Sequence, residues 1–386
     1  MIVNDMHWFE AKQLDRVTNY LTRIEILKYA IKNKIEASYY CTFAKEKKYY
    51  GLKHNIKYLG ILKNKYLRHI EFQILVVIKA ISIVLTENES VLMVNQALIR
   101  HMLPALKLNN LLKRKNKFVS DIRTTPTSPE TFDKEMKTFH RHFKYAIKYF
   151  DGFSFITPFM EKYVMSSYEN RDYKIVNWSS GVDLDQFNPY NYISNRPSGK
   201  FRLFYHGGIS LSRGNLNLIK AAHLLVKAGY EIELLQVGIL VDKEIKDYCE
   251  AQNISSWCKI LPPVPLTAIP QMIADCDLPV LPFPNFMAWR VSSPIKMMEY
   301  LAMGKKLLVP NMEAFTNVFK ETPQLCFYYD VHAINPIEEI SNAIKVILDE
   351  NFLGNNNFFK EARDFVGKSY SWDKQAANLF DFCNKL

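Results

Sequence analysis

No Cys-x-x-Cys pair occurs in this 386-residue chain, and its six cysteines (Cys41, Cys249, Cys258, Cys276, Cys326 and Cys383) lack metal-ligand spacing. A disulfide scaffold and a zinc ribbon are excluded, and the thiols read as reduced core residues of a cytosolic protein. Gly-x-Gly-x-x-Gly and the P-loop pattern are both missing, which removes the dinucleotide fingerprint and the Walker site. No Ser-His-Asp or Cys-His constellation stands out. The start, MIVNDMHWFEAKQLDR, lacks the basic, apolar and small-residue layout of a secretory signal. The longest apolar run, FQILVVIKAISIVL (72–85), is interrupted by Lys79 and is too short to span a bilayer, so it reads as a buried helix. There is no internal repeat and no low-complexity tract. The basic residues are not interleaved with an RNP, KH or helix-turn-helix pattern, which weighs against nucleic acid as a partner.

What is present is a chain that is 48% hydrophobic and 23% charged, ordinary for a soluble protein and long enough for two cores. Its net charge of +11 is lopsided. Residues 1–200 hold 32 Lys+Arg against 19 Asp+Glu, whereas 201–386 hold 18 against 20. The basic half therefore faces something anionic, or is simply a solvated basic surface; charge alone weighs the two equally. Short apolar strands alternate with helical patterns, most regularly from FRLFYH (201–206) through YEIELLQVG (230–238), WCKILPPV, DLPVLPF and KLLVP to LCFYYD. That alternation predicts βαβ units and parallel sheets covered on both faces. The first half offers strands at 1–6, 35–43, 90–95, 117–122, 152–157 and 173–178. NPYNYISNRPSGK (188–200), rich in turn formers, predicts a linker near residue 195.

In such sheets ligands bind beyond the carboxyl ends of the strands. Two loops of the second half carry chemistry there. HGGISLSRG (206–214) offers Gly207 and Gly208 for close backbone approach, and Arg213 with donors suited to phosphate oxygens. In SSPIKMMEYLAMGKK (292–306), Ser293 is placed as a helix N-cap, Pro294 as the first helical residue and Gly304 after the last turn. Lys296 then sits in the first turn, where the helix dipole disfavours a cation unless an anion is bound. Glu299, one turn on, reads either as an ion-pair mate of Lys296 or as a carboxylate for ribose hydroxyls. Together the residues describe a nucleoside diphosphate site.

These stretches, with VPLTAIPQMIADCDLPVLP between them, resemble the retaining GT-B glycosyltransferases of family 4 (glycosyl transferases group 1) over nearly all of 201–386. SDIR, DGFSFITPFM and NWSSGVDLDQFNP extend a fainter likeness into the first half. The resemblance implies an α/β fold of GT-B architecture, two doubly wound Rossmann-like domains facing a cleft: 1–195 for the acceptor, 196–370 for the donor, and a 371–386 helix crossing back. It implies a nucleotide sugar as donor, retention of anomeric configuration, and no metal or other cofactor. By position Arg213 stands at the family's diphosphate-binding basic residue, and Ser292, Ser293 and Pro294 at the turn facing the phosphates and donor sugar. Glu299 stands at the ribose-binding glutamate and Val264 in the loop that reads the nucleobase edge. The family's first glutamate is replaced by Val291, which leaves the sugar open, and Ile209 and Ser210 stand where many members carry another arginine.

In the first half, Trp8 reads as a stacking platform or a core aromatic, and His7 as an acceptor ligand or a structural histidine. Asp121, closing KFVSDI, reads equally as an acceptor-side catalytic carboxylate and as a cap; Arg123 is placed on an acceptor phosphate. Catalysis is expected as front-face displacement, with Arg213 and Lys296 stabilising the leaving diphosphate. The acceptor class implied is a glycan or lipid-linked sugar in bacterial surface-polysaccharide synthesis. Basic segments 53–69 and 112–117 would hold the chain at the anionic inner face of the cytoplasmic membrane. Two other readings are a GT-B sugar epimerase and a nucleic-acid-binding protein using the basic half.

Overall fold

The computed structural model describes residues 4–13, 17–42, 47–169, 171–194, 199–350 and 358–386. The chain divides into two compact units: residues up to Pro126, Glu130–Ser180 and Trp372–Leu386 form one, and Thr127–Pro129 with Gly181–Ser371 the other. The division falls at Ser180/Gly181, ahead of the predicted linker, whose residues 195–198 lie outside the described ones. Segment 181–194 belongs to the second unit, where it is tied down by Arg363 donating to the carbonyls of Leu184 and Phe187.

Unit 1 is built from β1 (Asn4–Gln13), α1 (Val17–Lys32), β2 (Ala37–Thr42), β3 (Ile56–Tyr58), α2 (Lys65–Thr86), β4 (Ser90–Asn95), α3 (Leu103–Leu111), β5 (Lys117–Ile122), α4 (Phe132–Tyr149), β6 (Gly152–Phe155), α5 (Pro158–Met165) and β7 (Ile175–Asn177). All its strand pairs are parallel, in the order β3-β2-β1-β4-β5-β6-β7. β4 is buried at all six positions, as a strand covered by helices on both faces must be. β3, three residues long, carries too little apolar pattern to be read from sequence.

Against one face, Phe9, Tyr40, Leu92 and Phe118 of the sheet pack on Phe72, Val76, Ala80 and Ile83 of α2. Each large apolar side chain so buried contributes roughly 1.5–3 kcal/mol. Only one side of α2 is used in this way. The run predicted to be a buried helix lies within a 22-residue helix, long and apolar enough to cross a membrane by length and composition, and its outer side is exposed. The apolar residues lie on all sides of this helix, so their periodicity does not distinguish a helix buried all round from one buried on one side.

Unit 2 comprises β8 (Phe201–His206), α6 (Asn215–Lys227), β9 (Ile232–Val237), α7 (Lys243–Ala251), β10 (Cys258–Leu261), α8 (Ile269–Ala274), β11 (Leu278–Pro279), α9 (Met287–Arg290), α10 (Ile295–Ala302), β12 (Leu307–Pro310), α11 (Glu313–Thr316), β13 (Cys326–Tyr329), α12 (Pro336–Asp349) and α13 (Phe358–Ser369). Its parallel strands run β10-β9-β8-β11, and a bridge between Val280 and Leu308 joins β11 to the β12-β13 pair. In chain order both units therefore show the 3-2-1-4-5-6 arrangement of doubly wound sheets. The last helix, α14 (Trp372–Asn384), packs on α1 within unit 1.

Candidate functional site

In unit 2 the strand order reverses at β8, which has β9 on one side and β11 on the other. Ligands of such sheets sit outside the carboxyl ends at this point. The loops that leave β8 and β11 there are the two that the sequence singled out.

After His206 the chain turns through Gly207, whose φ is +118°. A Cβ at Gly207 would lie 2.6 Å from Nζ of Lys296, so glycine is what admits the ammonium. Lys296 Nζ donates to the Tyr205 hydroxyl at 2.9 Å and sits 4.0 Å from the centroid of that ring. Tyr205 in turn donates to the Gly208 carbonyl at 2.9 Å, bracing the loop. Arg213 ends a single 3-10 turn, Leu211–Arg213, with its guanidinium 4.9 Å from the Trp289 ring centroid. Gly214 follows at φ +75°, and a Cβ there would fall 1.8 Å from the Pro282 carbonyl oxygen. The loop after β8 is thus locked against the loop after β11.

Burial pushes the Lys296 ammonium well below the ordinary lysine value, Arg213 pushes the same way, and Glu299 opposes. Neither Arg213 nor Lys296 forms an ion pair among the described residues. Two cations that repel each other, gathered at a helix N-terminus with no carboxylate in an ion pair with either among the described residues, are a site shaped for an anion. α10 begins at Ile295 with Pro294 in the capping position, one residue later than predicted, and Pro294 itself offers no side-chain cap to the first N–H groups. Ser293 is buried beside them and Ser292 Oγ is turned back onto the Trp289 carbonyl. Val264 is partly buried in the loop after β10, at the same end of the sheet.

Glu299 does not pair with Lys296. Its Oε2 lies 2.7 Å from His206 Nε2, while His206 Nδ1 lies 3.0 Å from the Tyr300 hydroxyl. Only 3% of Glu299 is exposed, and among the described residues the hydrogen bond it makes to a side chain, that with His206, falls on Oε2 and not on Oε1. His206 is a site residue that the sequence reading missed, although its place at the end of a strand, directly before two glycines, was the available signal. Tyr205, Tyr300 and Trp289 gave no such signal: each is an ordinary core aromatic until the fold brings it to a charge. Val291, where a family carboxylate was expected, is an apolar residue with 3% exposure ending α9.

In unit 1 three sequence assignments are corrected. Asp121 has no exposed surface; its Oδ2 takes a hydrogen bond from Arg23 at 3.0 Å and its Oδ1 one from Ser154 Oγ at 2.7 Å. A carboxylate with both oxygens engaged in the core holds the sheet together and meets no acceptor. His7 is buried low on β1, with Nε2 2.7 Å from Glu87 and Nδ1 3.3 Å from the Tyr40 hydroxyl, away from the carboxyl ends of the strands. Arg123 lies flat on Trp178, 3.6 Å from the ring centroid, and donates to the Trp178 and Ser179 carbonyls. Those contacts occupy the guanidinium that was assigned to an acceptor phosphate. Trp8 is a core aromatic with 2% exposure.

No protein-family model matches this sequence, and no curated protein matches it. Solved structures do match, over almost the whole chain. A glycosyltransferase from Rickettsia africae ESF-5 has a TM-score of 0.73 at 14% identity, covering 99% of this chain and 98% of its own. Anabaena HepE in complex with UDP-glucose gives 0.72 at 14%, covering 99% and 100%. Sucrose-phosphate synthase from Thermosynechococcus elongatus gives 0.73 at 12%, covering 99% and 98%. The chain has the GT-B fold of glycosyltransferases.

Proposed function

We propose that this protein is a nucleotide-sugar-dependent glycosyltransferase that moves a hexose from a UDP- or GDP-sugar to a glycan or lipid-linked acceptor with retention of configuration, without a metal. The observation that carries the reading is the convergence of Arg213 and Lys296, neither of them in an ion pair among the described residues, on the start of α10 at the switch point of the unit 2 sheet. The HepE complex with UDP-glucose, on the same fold, supports a donor of this class. Arg213 and Lys296 would hold the diphosphate, and Glu299 Oε1, with His206 fixing the other oxygen, would accept the ribose hydroxyls. As the bond to the sugar breaks, charge grows on the leaving phosphate in front of both cations. That phosphate takes the acceptor proton, so the step needs no protein nucleophile. The setting we assign is the cytoplasmic side of bacterial surface-polysaccharide assembly.

A thermal-shift panel of UDP, GDP, ADP and their sugars tests the site. At a hundredfold excess over Kd a ligand of the folded state adds about 2.7 kcal/mol. One of the three series should raise the unfolding midpoint, and silence from all of them would refute the assignment. Sugar transfer to an acceptor, rather than release of free nucleotide alone, then separates transferase from epimerase. Gly207→Ala offers a geometric check. Its Cβ would displace Lys296, and nucleotide binding should weaken about tenfold or more (1.4 kcal/mol per decade) in calorimetry.

A further inference from the structure

The outward side of α2 carries an apolar stripe, running beside the polar pair His69 and Gln73. Leu67, Ile70, Ile74, Ile78 and Leu85 fall on one stripe of the helix, and each exposes more than half of its surface. A helix lying on a protein surface ordinarily turns polar residues outward. Contiguous apolar surface of this kind marks a contact site. The stripe is bounded by cations at both ends. Exposed Lys63 and Lys65 precede it, and at the far end Arg114 donates to the Leu85 carbonyl at 3.1 Å. The nearby carboxylates are engaged: Glu71 accepts the backbone N–H groups of Ile61 and Leu62 at 2.7 and 2.9 Å, Glu87 meets His7, and Glu89 meets Lys115.

From this geometry we infer that α2 docks the protein on an anionic bilayer, lying in the plane of the interface with its isoleucine stripe among the acyl chains and its terminal cations on the headgroups. An apolar face with a basic rim is the pattern of interfacial helices. The inner side of α2 forms the core of unit 1 with Phe72, Val76 and Ala80, so the helix lies on the membrane instead of crossing it. A second copy of the chain would fit the apolar stripe but set one cationic rim against another, whereas an anionic lipid surface satisfies both features. The docking face belongs to unit 1 and the donor site to unit 2, and docking needs no nucleotide to be tested.

Vesicle flotation of the full chain gives the answer, using phosphatidylcholine alone and phosphatidylcholine with about a third phosphatidylglycerol. The wild type should float with the anionic vesicles, and Ile74→Glu with Ile78→Glu should cut the bound fraction at least tenfold with the unfolding midpoint unchanged. If those glutamates lower the midpoint, Ile70→Ser with Ile78→Ser carries the same expectation. A wild type that stays unbound overturns the proposal. So does equal flotation of wild type and variants, which would place the docking elsewhere on the basic surface. A dimer in solution that the same substitutions dissociate, without flotation, would assign the stripe to a second copy.

Discussion

Lys296→Met abolishes the response of the protein to nucleoside diphosphates and raises the unfolding midpoint of the empty chain. Both halves of this expected result follow from one arrangement. In the free protein Lys296 is held in a poorly solvated position, repelled by Arg213, with the Tyr205 hydroxyl as its hydrogen-bond partner among the described residues. Burial lowers its folded-state pKa, so folding disfavours the ammonium. Between that lowered value and the ordinary 10.5 the unfolded chain binds more protons, and stability rises with pH across this window. Methionine, of similar length and without charge, removes both the penalty and the pH slope. A bound diphosphate reverses the balance, since the anion stabilises the ammonium that the empty site disfavours. The variant should therefore lose about 10²- to 10³-fold in turnover, the scale on which removal of one charge-stabilising donor acts. Unfolding midpoints from pH 7 to 10, with and without nucleotide, check the prediction. A variant that is no more stable than wild type when empty, or that still responds to the nucleotide, contradicts it.

The alternation of strands and helices, the two loops that meet at the unit 2 switch point, and the positions of Arg213 and Lys296 were all legible in the sequence, because each rests on local pattern. A glycine pair, a proline before a helix and an apolar strand declare themselves within ten residues. What was not legible depends on distant partners. Glu299 and Lys296 sit one turn apart on a helix, which makes an ion pair the natural reading; His206, 93 positions away, takes the carboxylate instead. Asp121 at a strand end looked available until the fold placed Arg23 and Ser154 on its two oxygens. The exposed side of α2 was hidden for a different reason. Apolar residues on every side of a helix give no clear phase, so only the packing of its inner side reveals that its outer side is exposed.

Arg23→Met should be the most damaging single substitution in unit 1. Arg23, on α1, has 3% exposure and spans two carboxylates, donating to Glu10 on β1 at 2.8 Å and to Asp121 on β5 at 3.0 Å. Its guanidinium also lies 4.0 Å from the Trp8 ring centroid. Burial alone would lower its pKa, but Asp121 and then Glu10 overrule that and hold it above the ordinary arginine value. Removing it leaves two carboxylates in the core with no cation between them, and breaking a buried ion pair from one side typically costs about 3–5 kcal/mol. The damage extends further, because Asp121 also accepts from Ser154, whose hydroxyl receives the Trp178 indole N–H at 2.7 Å. Urea unfolding should show the loss directly. The triple variant Arg23→Met, Glu10→Gln, Asp121→Asn supplies the control: with no charge left to strand, it should recover most of the stability lost by the single change. That recovery, together with undiminished transfer activity in the refolded triple variant, would identify Asp121 as a structural carboxylate. If the triple variant folds as stably as wild type but cannot transfer sugar, Asp121 belongs to the reaction after all.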